Sequence, residues 1–265
     1  MLGPTSVMVS AELAKGISPN KFVVNIGCHD GKSHNDPCYP LFQAGYPGLA
    51  IDGKEMPGVH ENLNFDNVKK LLKQFVYPQN VAELLRSNGC PEQFHMLKID
   101  VDGIDGDILA SVLAAGFRPD FIQVEIQPEF PPPVVFSVKQ HALFMPRAGR
   151  GGFYGISISG VEIMGRVFGY SIVSIGAGHD VLCIRDDLLP KTSFPALDTV
   201  TDFYRWKHRF LHFRQSGIDS TRWRGRQDWN ELLAEMFQAC IFASQAAYGV
   251  ALPFELGLDW SKIKT

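Results

Sequence analysis

Short apolar runs, each closed by a glycine, a proline or an acid, alternate with segments of helical period along the first half of the chain. Phe22-Val23-Val24-Asn25-Ile26 is mainly apolar and ends at Gly27, the pattern of a buried strand that runs into a turn. A helix opens near Pro37 and closes at Gly45. Gly48-Leu49-Ala50-Ile51-Asp52 is the second strand expected, residues 72–77 the third, Phe94-His95-Met96-Leu97-Lys98-Ile99-Asp100 the fourth and residues 120–126 the fifth. Between them, residues 80–87 and 105–115 carry helical period and stop at Asn88-Gly89 and Gly116. Strands alternating with helices predict βαβ units, a parallel sheet and right-handed crossovers.

The pattern changes outside that span. Residues 10–16 read as a short leading helix. From 127 to 152 no period survives the prolines at 131–133 and 146 and the glycines at 149, 151 and 152, which predicts a lid or binding loop, with simple disorder as the competing reading. Residues 156–168 regain helical period, and runs at 170–175 and 179–185 around Gly176-Ala177-Gly178 predict an antiparallel hairpin. Further on, Phe203, Trp206, Phe210 and Phe213 recur at helical spacing among Arg205, Lys207, Arg209 and Arg214, with Arg222, Arg224 and Arg226 beyond. A basic, aromatic stretch can grip nucleic acid. Asp202, Asp219 and Asp228 dilute this one, and a helix that packs its aromatic stripe and solvates its cations is the better reading. Residues 229–248 form a last amphipathic helix, structural or part of a homo-oligomer contact.

Composition narrows the class. A chain of 265 residues with 45% hydrophobic content can hold one large α/β domain with an appendage, or two small domains. The net charge of -3, with both signs interspersed, gives no general pull towards nucleic acid or membrane. No leader pattern opens the sequence, and no apolar run nears the ~20 residues of a membrane span. Five cysteines without C-x-x-C spacing predict free thiols and a cytoplasmic setting.

The candidate chemistry sits at the strand ends. Gly27 allows close approach of a ligand to the backbone, and Asp52 can accept both hydroxyls of an adenosine ribose. Either a nicotinamide cofactor or S-adenosylmethionine meets those two demands. The G-x-G-x-x-G fingerprint, aligned on Gly27, needs glycine where His29 and Lys32 stand. Asp30 adds a negative charge where a diphosphate would lie, whereas a sulfonium with an ammonium group tolerates it. The loop therefore favours S-adenosylmethionine, with an NAD-dependent oxidoreductase and a catalytically silent binding fold as the competing readings.

With the loop at 25–31, Asp52 and Phe94-His95-Met96-Leu97-Lys98-Ile99-Asp100-Val101-Asp102-Gly103 in hand, the chain resembles the FkbM-like S-adenosylmethionine-dependent methyltransferases. Val76-Tyr77-Pro78-Gln79-Asn80-Val81, Val124-Glu125-Ile126-Gln127 and Gly169-Tyr170-Ser171-Ile172-Val173 extend the resemblance, which runs from about 20 to 187. His29, Asp30 and Ile104-Asp105-Gly106 depart from the family pattern. The resemblance implies methyl transfer, most often to a hydroxyl of a small molecule or sugar. It fits an α/β, doubly wound, mostly parallel sheet of the Rossmann-like methyltransferase type, with an antiparallel last strand. Residues 1–190 would form that domain and residues 191–265 a helical C-terminal extension.

On this reading the cofactor set is Asn25, Gly27, Cys28, Asp30, Asp52 and Asp100. Carboxylates at strand ends converge on the crevice outside the sheet. His29, Asp102 and Glu125 are the candidates for taking the acceptor's proton. Each has a structural competitor: His29 as a loop residue held by a carbonyl, Asp102 as a helix cap, Glu125 as the partner of a buried arginine. Asp100, Asp102, Asp105 and Glu125 could instead hold Mg²⁺ or Ca²⁺, although no EF-hand spacing is present.

Overall fold

In a computed structural model, which describes residues 17–32, 36–142, 153–176, 179–209 and 228–262, seven strands make one sheet in the order β3-β2-β1-β4-β5-β8-β7. They are β1 (Val23–Ile26), β2 (Gly48–Asp52), β3 (Val68–Leu72), β4 (Gln93–Ile99), β5 (Arg118–Glu125), β7 (Tyr170–Ile175) and β8 (Asp180–Arg185). The pairs β1·β2, β1·β4, β2·β3 and β4·β5 are parallel, while β8 runs antiparallel between β5 and β7. The strand that is last in sequence is thus the antiparallel one, but it lies inside the sheet. The fold is a doubly wound, Rossmann-like α/β architecture, as expected.

Both faces are covered. Helices α1 (Cys38–Gln43) and α2 (Val59–Asn62) pack one face, where Val23, Cys38, Leu41, Phe42, Val59 and Met96 share a core. The other face carries α3 (Val81–Ser87), α4 (Asp105–Ala114) and α5 (Ile158–Phe168), with Val24, Leu85, Ile108, Val112 and Ile158 buried together. Each such side chain contributes roughly 1.5–3 kcal/mol when removed from water. Ser157 caps α5 by accepting from the Gly160 N–H at 3.2 Å, and Gly169 ends it in the left-handed region at φ 79°.

The C-terminal segment joins this second core. Helix α6 (Thr199–Arg209) contributes Phe203, and α7 (Trp229–Tyr248) contributes Leu232, Met236 and Cys240. Asp228 starts α7 by accepting from the N–H groups of Asn230 and Glu231. The segment also holds a strand, β9 (Phe254–Leu258), antiparallel to β6 (Val134–Val138). Among the described residues, no helix is long and apolar enough to cross a membrane.

Three expectations need correction. The third strand lies at 68–72, not 72–77: as an edge strand it carries Lys69 and Lys70, which hide its alternation, and Lys73 ends it at φ 59°. The stretch from 127 to 152 is not wholly irregular, since β6 forms within it, paired to a strand more than a hundred residues away that no local pattern reveals. The tail is not purely helical, because β9 belongs to it. The leading helix at 10–16, the loop from 143 to 152 and the stretch from 210 to 227 with its arginines lie outside the described residues.

Candidate functional site

The register of the sheet aligns the predicted acids. Ile51, Ile26, Ile99, Val124 and Val181 pair successively across β2, β1, β4, β5 and β8, and all five are fully buried. One residue further along the same strands stand Asp52, Gly27, Asp100, Glu125 and Asp180. An apolar layer therefore gives way in a single step to a row of four carboxylates with one glycine among them, along the edge where ligands of open α/β sheets bind.

Gly27 is demanded by the chain itself. Its φ is 81°, and a Cβ there would sit 1.7 Å from the Asp100 carbonyl oxygen. Its N–H and that of Cys28 both donate to the Ile51 carbonyl, at 2.8 and 3.1 Å. The turn closes on Asp52, whose two oxygens accept from the N–H groups of His29 and Lys54, each at 2.8 Å. Each oxygen keeps a further lone-pair direction for another donor. His29 adopts φ 49°, and its half-exposed ring lies 3.7 Å from the Asp30 carboxylate. Asp30 accepts from the Lys32 N–H at 3.0 Å, and its carbonyl accepts from Asn62. Beneath the turn Cys28 is buried, its thiol pushed up to about 12 by burial and then by Asp52 and Asp36.

Lys98 supports this edge from below. Its Nζ donates to the Gly27 carbonyl at 2.7 Å and lies 3.2 Å from Asp100 Oδ2, with only 7% of the side chain exposed. Burial alone would lower its pKa, but Asp100, Asp36 and Asp180 together hold it above the usual lysine value. Lys98 aligns with Asn25 on one side and Gln123 on the other, making a buried polar layer under the acids. Asn25 donates to Asp36 at 2.7 Å, and Asp36 also accepts from the Cys38 N–H at the start of α1.

Asp100, Asp102 and Glu125 come together, each offering an oxygen within 4.8 Å of the others. Asp102 adopts φ 55° and does not cap α4, whose first residue, Asp105, instead accepts from the N–H groups of Val101 and Gly103 at 2.8 and 2.9 Å. That bracket fixes the turn carrying Asp102. Gly103 is tied in turn to the chain at Gly155, whose N–H donates to its carbonyl at 2.6 Å. Glu125 pairs with no arginine or other cation among the described residues, and its Oε2 is buried without a hydrogen-bond partner.

The electrostatics follow from this crowding. Burial first, then Asp105, Asp100 and Asp102, raise the Glu125 pKa well above the ordinary glutamate value. Burial and Asp100 raise Asp102. The same two causes push Asp105 to about 6 and Asp180 to about 7. Tyr154 is also raised, by burial and then by Glu125 and Asp102. A site so negative attracts cations, and it holds protons near neutral pH where none is bound.

Sequence reasoning assigned no role to Lys98, Asp36, Asp180 or Tyr154. The signal for the first was present: a lysine one residue before the end of an apolar strand has no reason to be there unless it is paired. Asp180 and Tyr154 reach the site through long-range topology and left no local mark.

No family model matches the chain, and no curated protein does either. Among solved structures, it is similar to a protein described as a candidate hemolysin from Lactococcus lactis, at 17% identity and TM-score 0.43, over 68% of this chain and 85% of that one. It is also similar to the Burkholderia thailandensis 1,6-didemethyltoxoflavin-N1-methyltransferase with bound 1,6-didemethyltoxoflavin and S-adenosylhomocysteine, at 16% identity and TM-score 0.40, over 68% and 76%. A third is the O-methyltransferase from Bacillus cereus in complex with S-adenosylhomocysteine, at 13% and 0.40, over 68% and 78%.

Proposed function

We propose that the chain is an S-adenosylmethionine-dependent methyltransferase of the FkbM-like kind, acting on a hydroxyl of a small molecule or glycan. The observation that carries this reading is the row Asp52, Gly27, Asp100, Glu125 and Asp180, with Asp52 and Asp100 on either side of the Gly27 turn. The donor set fits the cofactor. Asp52 keeps lone pairs for two ribose hydroxyls, and the anionic edge complements a sulfonium and an ammonium group while opposing a diphosphate.

In this assignment Gly27, Asp30, Asp52 and Asp100 hold the cofactor, and Asn25 and Cys28 shape the turn from beneath. When bound, S-adenosylmethionine supplies an activated methyl group. The protein's part is to align an acceptor and to keep the cleft dry. Asp102 and Glu125 face the acceptor and receive its proton, and His29 sits on the rim of the same edge.

Calorimetry with S-adenosylmethionine, S-adenosylhomocysteine and NAD, in EDTA, tests the proposal. The first two should bind, and Asp52→Ala should weaken both by a hundredfold or more, since two charge-assisted hydrogen bonds of about 1.5–3 kcal/mol each are lost. Binding of NAD alone, or of no nucleotide, would refute it.

A further inference from the structure

We infer that Asp100, Asp102 and Glu125 form a divalent cation site that adjoins the nucleotide site proposed above and shares Asp100 with it, so that with an ion bound Asp102 and Glu125 serve as its ligands. Two observations meet here. One is geometric: three carboxylate oxygens from three separate points of the chain lie within 4.8 Å of one another. They come from the end of β4, the turn after it and the end of β5. The other is an unmet demand: Glu125 Oε2 is sealed from solvent, and no described group donates to it. A buried carboxylate oxygen without a donor has lost its hydration with nothing in return, at a cost in stability. A metal ion removes that cost by direct coordination.

The surroundings are built for ligation. Asp105, itself satisfied by two backbone N–H groups, clamps the turn that presents Asp102, so the trio is held before any ion arrives. Lys98 engages Asp100 through Oδ2 and leaves Oδ1 for a second partner. No other lysine or arginine pairs with any of the three carboxylates among the described residues. Three acids against one lysine leave a local excess of negative charge that a divalent ion would offset.

The chemistry of the set selects the ion. All donors are carboxylate oxygens, which suit Mg²⁺, Ca²⁺ or Mn²⁺ and disfavour metals that prefer nitrogen or sulfur. Three oxygens spaced evenly around Ca²⁺ at about 2.3–2.6 Å stand at most roughly 4.5 Å apart, so the trio, within 4.8 Å, needs at most a small contraction to take that ion. Mg²⁺, at about 2.0–2.1 Å, needs the oxygens drawn within roughly 3.6 Å. Three protein ligands fill half of an octahedral shell, and the rest falls to water or to oxygens of an acceptor.

The test uses the full chain stripped with EDTA and titrated with Mn²⁺ in the absence of nucleotide, following the six-line signal of the free ion by electron paramagnetic resonance. One equivalent should be taken up saturably and released by Ca²⁺ or Mg²⁺. Glu125→Gln and Asp102→Asn should each weaken the uptake at least tenfold, with folding checked by near-ultraviolet circular dichroism. Absence of saturable uptake by the unmodified chain would overturn the inference, whatever the variants do. So would uptake undiminished in both folded variants. Because nucleotide titrations are run in EDTA and metal titrations without nucleotide, either proposal can fail while the other stands.

Discussion

Replacing Lys98 by methionine keeps most of the aliphatic stem and deletes what is, among the described residues, the one lysine ion-paired to the acidic row. No cavity should open, so the cost is electrostatic. Removing one partner of a buried ion pair costs about 3–5 kcal/mol. Asp100 is 38% exposed and can recover some hydration, which brings that figure down to about 2 kcal/mol. The Gly27 carbonyl, which accepts from Lys98 at 2.7 Å, loses its donor and adds about 1–3 kcal/mol. The sum, about 3–5 kcal/mol, is a large part of the stability of an ordinary domain. The loss should also depend on pH in a definite direction. Lys98 lowers the pKa values of Asp102 and Asp180, so in Lys98→Met these carboxyls hold protons to higher pH than in the parent. The folded variant then binds more protons than its unfolded chain near neutrality, and its stability falls as pH rises. Urea titrations at pH 5.5 and 8, compared through the midpoint at constant m, should show the wider deficit at pH 8. A deficit below about 1 kcal/mol at both values, or one of the same size at both, would refute the account of Lys98 as the counter-charge of the edge.

Three further substitutions probe other features of the fold. His95 lies fully buried between the rings of Tyr46 and Phe121, with centroids at 5.0 and 5.3 Å; neither ring nitrogen has a partner of hydrogen-bond geometry, and burial lowers its pKa to about 4 against a small opposing pull from the Asn20 backbone. The unfolded chain therefore takes the proton first as pH falls: the contribution is whole above 6.5 and is lost towards 4, about 3 kcal/mol in all, so His95→Phe should lessen the acid sensitivity of the urea midpoint between pH 7 and 4.5. An unchanged acid sensitivity would count against the buried neutral imidazole. Gly27→Ala and Gly45→Ala form a matched pair, with φ of 81° and 83°, but the first methyl meets the Asp100 carbonyl oxygen at 1.7 Å and the second meets nothing within 4 Å. The first should cost more than about 3 kcal/mol by denaturant titration and the second about 1 kcal/mol; equal losses would mean that β1 and β4 are not so close.

Much of the sheet was legible because its central strands are buried on both faces and read as continuous apolar runs, as in Gly48–Asp52. The edge strand was misplaced because Lys69 and Lys70 meet solvent there. The strand ends were legible too: Asp52, Asp100 and Glu125 stand where an apolar run stops, and the register brings them to one edge. What the sequence could not reveal is depth. Asp102 and Asp105 look alike in Asp100-Val101-Asp102-Gly103-Ile104-Asp105, yet one joins the trio and the other holds backbone N–H groups. Asp180 and Tyr154 depend on which strands become neighbours, and that is settled by long-range packing.

The ribbon of β6 and β9 has a consequence for how the molecule is made. The β6 strand follows the segment after Glu125 and is bridged at Ser137 to Ile156, next to Tyr154, but its ladder partner is translated more than a hundred residues later. On the ribosome, every carboxylate of the edge emerges well before the strand that braces the wall beside it. A chain halted before residue 250 would therefore carry all the acids yet leave β6 with an unsatisfied border, open to pairing with a stranger.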